Sequence, residues 1–227
     1  LNVEMNLSYR EFSGRAELEA AALALLKEAF CAPAPVPRAL MLTGGSTPFG
    51  VYAALAAAGV RAANGVRVFL SDDRHVPIGS AESNYGRLCP MLDALGVQAR
   101  LFIDPSVPVA IAAERYDRAL DGLLGDGTAF PLGILGLGAD GHVASLFSSE
   151  HLKDADGHRA IAVRRPDGMN GISTTPSVLC AAERLVFWVA GPEKRMAVEA
   201  LRHKPSSIPA GLALAAAPSV ELWYTPS

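Results

Sequence analysis

Three short stretches of this 227-residue sequence set reactive side chains among glycines. In Gly136-Leu137-Gly138-Ala139-Asp140-Gly141-His142 a carboxylate and an imidazole stand two positions apart. That pairing suits a general base, with the imidazole accepting a proton and the carboxylate orienting it, although a histidine closing a tight turn would look the same. Ser71-Asp72-Asp73-Arg74-His75-Val76-Pro77 gathers two carboxylates, a guanidinium and an imidazole. Adjacent acids repel unless paired, and Arg74 is the nearest partner, so the stretch reads either as a polar site or as a solvated charged loop. Asn84 follows closely enough to cap or buttress it. Thr43-Gly44-Gly45-Ser46-Thr47-Pro48 combines glycines that admit close backbone approach with Ser46 or Thr47 as helix cap and Pro48 as a first helical residue. Free N–H groups at such a turn would hold a phosphate; a capped turn with no ligand is the plainer alternative.

Each stretch follows a short apolar run, and those runs predict what positions it. Strands are expected at 38–45, 66–72, 131–138, 159–165, 184–191 and 220–225, and helical patterns fall at 13–30, 48–58, 84–95, 107–124 and 192–202. Strands apolar on both faces and alternating with helices imply a mainly parallel sheet covered on both sides. The expected architecture is a Rossmann-like three-layer α/β fold, one domain over 1–227, with room for a small subsidiary lobe. Ligands of such sheets bind at the carboxyl ends of strands, where all three stretches lie. Residues 31–38 read as a Pro-rich connector, 148–158 as a polar loop, and 165–176 as irregular chain that is mobile or lies over a site.

Gly136 to Gly141 also spells the dinucleotide pattern G-x-G-x-x-G. That motif needs a following helix and a second strand ending in Asp or Glu about 20 residues on. Here the helix can run little beyond "HVASLF", and the next strand, "RAIAVRR", ends in arginines. The glycines are therefore better read as a tight turn delivering Asp140 and His142. At a helix start, the positive helix end would disfavour imidazolium and keep His142 able to accept a proton.

The net charge of −3 and scattered basic residues give no surface for nucleic acid. Cys31, Cys89 and Cys180 form neither a disulfide framework nor a cysteine metal site, which fits a reducing cytoplasm. No segment is long and apolar enough for a membrane span, and no signal peptide is visible. His151, His158 and His203 read as solvated; His151 and His158 with Asp154 and Asp156 match no familiar ligand spacing, so no metal is expected. Phe187 and Trp188 read as core residues, and His75 as support for Arg74.

Taken together, "LTGGSTPFGVY" (42–52), "SDDRHVPIGSAESNYGRL" (71–88) and "GILGLGADGHVASLF" (133–147) resemble the signature blocks of the 6-phosphogluconolactonases, which share a sugar-phosphate fold with the glucosamine-6-phosphate deaminases. In "VFWVAGPEKRMAVEAL" (186–201), Gly191-x-x-Lys194 matches that family's phosphate-side lysine. The deaminases carry a tyrosine where this chain has Arg74 and a glutamate where it has Phe147, so the lactonase resemblance is favoured. One departure stands out: the family's R-I-T-x-T segment has an arginine, serving the phosphate end, where this chain has Gly171. Arg164 or Arg165 is left to reach that space.

The resemblance implies hydrolysis of 6-phospho-D-glucono-1,5-lactone to 6-phospho-D-gluconate in the oxidative pentose phosphate route, without a metal or organic cofactor. His142 is expected to be the base; Asp140 to orient it or bind a sugar hydroxyl; Asp72 to bind a hydroxyl; and Arg74 to meet the oxyanion or the phosphate. Gly44, Gly45, Ser46, Thr47 and Lys194 are expected around the phosphate. The substrate is a small phosphorylated sugar lactone, and the chain is expected to be a monomer or weak homodimer. A deaminase-like isomerase, a non-catalytic sugar-phosphate binder and an NAD-binding protein are the competing readings.

Overall fold

In the computed structural model, which describes residues 5–125 and 127–227, the apolar runs are strands and the periodic runs between them are helices. The chain order is β1 (Leu7–Glu11), α1 (Arg15–Cys31), β2 (Arg38–Leu42), α2 (Ser46–Ala57), β3 (Val66–Leu70), β4 (Asp72–Arg74), α3 (Asn84–Leu95), β5 (Ala99–Arg100), α4 (Val109–Gly125) and β6 (Ala129–Leu135). Then follow α5 (Ser149–Asp154), β7 (Ala160–Arg164), β8 (Asn170–Thr174), α6 (Pro176–Leu179), β9 (Leu185–Ala190), α7 (Arg195–His203), α8 (Pro209–Ala213) and β10 (Val220–Thr225). A short 3₁₀ turn, Pro192–Lys194, precedes α7.

Seven strands form one parallel sheet in the order β1-β10-β9-β6-β2-β3-β5. Alternate residues serve opposite faces, as a strand's period of two requires. Leu40, Leu42, Val68, Leu70, Val186 and Trp188 pack with α1, α2 and α3. Met41, Phe69, Leu135 and Phe187 pack on the other face with Tyr116 and Leu120 of α4 and Val198 and Leu201 of α7. This is the expected three-layer arrangement. From β2 the chain builds outward through β3 and β5, then returns to the opposite side of β2 with β6, β9 and β10. The order thus reverses between β2 and β6, the place where an open sheet leaves a crevice for ligands.

The subsidiary lobe is a separate antiparallel sheet, β4-β8-β7. Here the structure corrects the sequence reading: the strand at 159–165 leaves the main sheet and pairs in this lobe, and part of the irregular 165–176 is β8. The strand and helix patterns could not reveal this, because Asp72-Asp73-Arg74 and "NGIST" are too polar to look like strands. Ile161, Val163 and Ile172 fasten the lobe to the core. The polar segment 148–158 contains α5, and β1 escaped notice as a half-exposed edge strand.

Two buried tyrosines hold the strand ends that carry the site. The Tyr52 hydroxyl donates to the Thr43 carbonyl at 3.0 Å where β2 ends. Tyr116 donates to the Leu70 carbonyl at 2.7 Å and accepts from the Leu70 N–H at 3.1 Å, where β3 gives way to β4. Each hydroxyl satisfies backbone groups that have lost the sheet ladder.

Candidate active site

The turns after β2 and β6 face each other across the switch point. Between them lies a cavity of about 280 Å³, lined by Thr43, Gly44, Gly45, Asp72, Arg74, Asn84, Gly136, Leu137, Gly138, His142, Ala144, Arg165 and Lys194. All three sequence stretches therefore meet in one place, with Lys194 added from the turn after β9.

His142 is held by its near neighbour: its Nδ1 lies 2.5 Å from Asp140 Oδ1, and its N–H donates to the same oxygen at 3.2 Å. The carboxylate on Nδ1 favours the tautomer protonated there and leaves Nε2 as the acceptor. Partial burial raises the Asp140 carboxyl, but the His142 hydrogen bond and charge outweigh it and bring it below the usual range. Asp140 itself is outside the cavity lining, so its geometry is that of an orienting group. No helix starts at His142: the chain from Gly138 to Ser148 is a run of turns, and the next helix is α5. The expected helix-end effect on the imidazole is thus absent, and its orientation comes from the Asp140 contact at Nδ1 together with the Phe147 ring packed against it. The turn is tight because Gly141 has φ +84° and because Gly138 lies under the ring.

Asp73 holds the second stretch together. Its Oδ1 accepts from the N–H groups of Arg74 at 2.8 Å and Asn84 at 2.7 Å, and its Oδ2 accepts from Tyr85 N–H at 3.0 Å. It thus ties β4 to the start of α3, where Ser83 is the N-cap. Asn84 buttresses the site as one of its two expected roles: Oδ1 accepts from Arg74 Nη1 at 3.1 Å and Nδ2 donates to the Asp72 carbonyl at 3.1 Å. Gly44 is required by this close approach, since a Cβ there would fall 2.0 Å from Asn84 Oδ1.

Burial pushes the Asp73 carboxyl from the ordinary 3.8 up to about 6, against the pull of its N–H donors. The folded protein then binds this proton more tightly than the unfolded chain, so this contribution to stability falls as pH rises from about 4 through about 6. Urea midpoints measured across that window should decline less with pH in Asp73→Asn than in the wild type. Parallel profiles would refute the assignment.

The glycine turn after β2 differs in detail from its expected form. Gly45, φ +119°, is the N-cap of α2, and no side chain caps the helix. Ser46 is exposed, Thr47 is buried, and neither lines the cavity. Their expected capping and lining roles are replaced by an uncapped helix start, which leaves first-turn N–H groups available to an anion. Pro48 is the third helical residue.

Of the two hairpin arginines, Arg165 lines the cavity and Arg164 does not. Strand alternation puts Arg164 on the exposed side of β7 with Ala162, where its Nη1 donates to Asn170 Oδ1 at 3.2 Å. Arg165 instead passes over Gly171, whose missing Cβ would sit 3.1 Å from Arg165 Cδ. Asp72 lines the cavity, but Ser71 and Ser145 hydroxyls already donate to its two oxygens, at 3.0 and 2.7 Å. Phe147 packs its ring 4.4 Å from that of His142. His151 is tied down rather than free, its Nδ1 accepting from Phe147 N–H at 3.1 Å, while His158 and His203 are exposed as expected.

A parallel sheet covered on both faces, with an imidazole and several cationic side chains lining the cavity at its switch point, defines a Rossmann-like α/β protein. The family described as glucosamine-6-phosphate isomerases/6-phosphogluconolactonase matches residues 16–223, and the chain belongs to this family of enzymes. A 6-phosphogluconolactonase of Thermotoga maritima is 31% identical over 164 residues, 68% of this chain and 70% of that protein. One from Synechocystis is 34% identical over 170 residues, 70% and 69% of the two chains. In structure, a 6-phosphogluconolactonase from Trypanosoma cruzi superposes with a TM-score of 0.84 over 97% of this chain and 95% of that one; at 23% identity it bears on the fold alone. Among the described residues no helix is long and apolar enough to cross a membrane.

Proposed function

We propose that the chain hydrolyses 6-phospho-D-glucono-1,5-lactone to 6-phospho-D-gluconate, as the names of its curated relatives suggest. The observation that carries this reading is the Asp140–His142 pair facing a cavity that also contains Arg74, Arg165 and Lys194. A lactone is an activated ester, so one general base, positioning and stabilisation of the oxyanion suffice, and the chemistry calls for no metal or organic cofactor. His142 Nε2 takes the proton of a water as its oxygen attacks C1. The tetrahedral oxyanion collapses, the C1–ring oxygen bond breaks, and the imidazolium returns the proton to that ring oxygen. Arg74, held by Asn84, is placed to meet negative charge.

The phosphate is proposed to sit on the N–H groups at Gly44 and Gly45, with Lys194 as a counter-charge. Lys194→Ala should therefore raise KM several-fold with little change in kcat, because the contact is made equally before and during reaction. A loss confined to kcat would overturn the placement. The isomerase alternative is disfavoured by Phe147, an uncharged ring against His142 where the deaminases have a glutamate.

The deciding assay follows fresh lactone against its spontaneous loss, with fructose 6-phosphate plus ammonium in parallel. Acceleration of the first and silence in the second is expected; the reverse would make the chain an isomerase. We further propose a single domain over 1–227, acting as a monomer or weak homodimer in the cytoplasm, where its three separate cysteines stay reduced.

A further inference from the structure

We propose that Ser145 is the positioning residue that makes Arg165 available to the substrate's phosphate. The proposal rests on the functional reading above. Ser145 is fully buried, and its Oγ stands between two charged groups: it donates to Asp72 Oδ2 at 2.7 Å and accepts from Arg165 Nη1 at 2.7 Å. The guanidinium is thereby kept 3.9 Å from the same Asp72 oxygen, beyond a direct hydrogen bond.

The other contacts of Arg165 complete the clamp. Its Nε donates to Asp167 Oδ2 at 3.0 Å, its guanidinium carbon lies 5.2 Å from the Phe147 ring centre, and its stem crosses Gly171. Nη2 is left without a hydrogen-bond partner among the described residues, on a side chain that lines the cavity. A guanidinium fixed at Nε and Nη1 is preorganised for an anion, since little side-chain freedom remains to be lost on binding.

The backbone is shaped to place this hydroxyl. Ala144 has φ +51°, the single non-glycine in the left-handed region among the described residues. Such a conformation is strained for a residue with a Cβ and persists where surroundings impose it. Here it turns the chain so that Ala144 lines the cavity while Ser145 goes beneath it, with Ser145 N–H donating to Ser173 Oγ at 3.1 Å. Without the hydroxyl, Arg165 and Asp72 can close into a direct ion pair, which takes the guanidinium from the substrate.

Two readouts test this: steady-state kinetics on the lactone, and calorimetric titration of inorganic phosphate, which needs no turnover. Ser145→Ala should raise KM and weaken phosphate binding together by about tenfold, the scale of one charge-assisted hydrogen bond, with KM rising more than kcat falls. Ser145→Thr, which keeps the hydroxyl, should recover most of both. In an Arg165→Ala background, removing Ser145 should change neither any further. Ser145→Cys, with a weakly bonding thiol of similar size, provides the same comparison should the alanine variant fail to fold. Unchanged phosphate affinity in Ser145→Ala, or losses that add independently to those of Arg165→Ala, would overturn the proposal. A wild type that binds phosphate but hydrolyses no lactone would sink the functional reading and leave the titration to decide Ser145.

Discussion

His142→Ala should lower kcat by about 10²–10⁴-fold, the usual worth of a positioned general base, and leave KM within a few-fold of the wild type. The expectation rests on a division of labour within the cavity. Among the described residues His142 is the one imidazole in the lining, fixed through Nδ1 by Asp140, while the groups proposed to hold the phosphate come from other elements: Gly44 and Gly45 after β2, Arg165 from the β7–β8 hairpin and Lys194 after β9. Removing the imidazole therefore removes the proton acceptor and leaves the binding groups in place. Asp140→Asn is the companion test. An amide can still hold the ring through its oxygen, but it supplies no charge to stabilise the imidazolium formed during reaction, so an intermediate loss in kcat is expected. Turnover near that of the wild type in His142→Ala would show that the base is elsewhere.

The parallel sheet was legible in the sequence because its strands are buried on both faces: "ALML", "VFL" and "LVFWV" admit few other readings. The lobe was not, because β4 and β8 earn their place by lining or bordering the site, and their polar residues erase the apolar signal of a strand. The histidine turn shows the same limit. Asp140 and His142 are adjacent enough to be seen as a pair, whereas the absence of a helix after them depends on Val143 bridging Leu137 and Leu146, a pairing invisible to periodicity. Ser145 escaped for a related reason. Its partners, Asp72 and Arg165, lie 73 and 20 residues away, and in "HVASLF" it looks like a small residue in an apolar tail. The arginine that fills the space over Gly171 could be narrowed to two candidates from sequence; the strand's alternation, known only once β7 is placed, separates them.

Gly138→Ala should abolish most turnover without unfolding the protein. A Cβ at this position would fall 2.0 Å from His142 Nδ1 and 2.3 Å from Asp140 Oδ1, distances that no real contact sustains. The residue's backbone is not in the left-handed region, so alanine imposes no conformational strain of its own. The obstructing atoms, Nδ1 and Cε1 of His142 and Oδ1 of Asp140, belong to side chains rather than backbone, and Asp140 is largely exposed, so the two side chains can swing away at small cost to the fold. They cannot do so and keep the 2.5 Å contact that orients the ring. A displacement of about 1 Å in a catalytic group can cost about 10²-fold, so kcat should fall by at least that much while the unfolding midpoint moves little. Retained activity would mean that the ring tolerates another orientation; a large loss of stability would mean that the turn, rather than the imidazole, is what Gly138 protects. The dinucleotide pattern would instead ask this glycine to admit a pyrophosphate. In this turn the space it leaves is taken by the imidazole and carboxylate themselves.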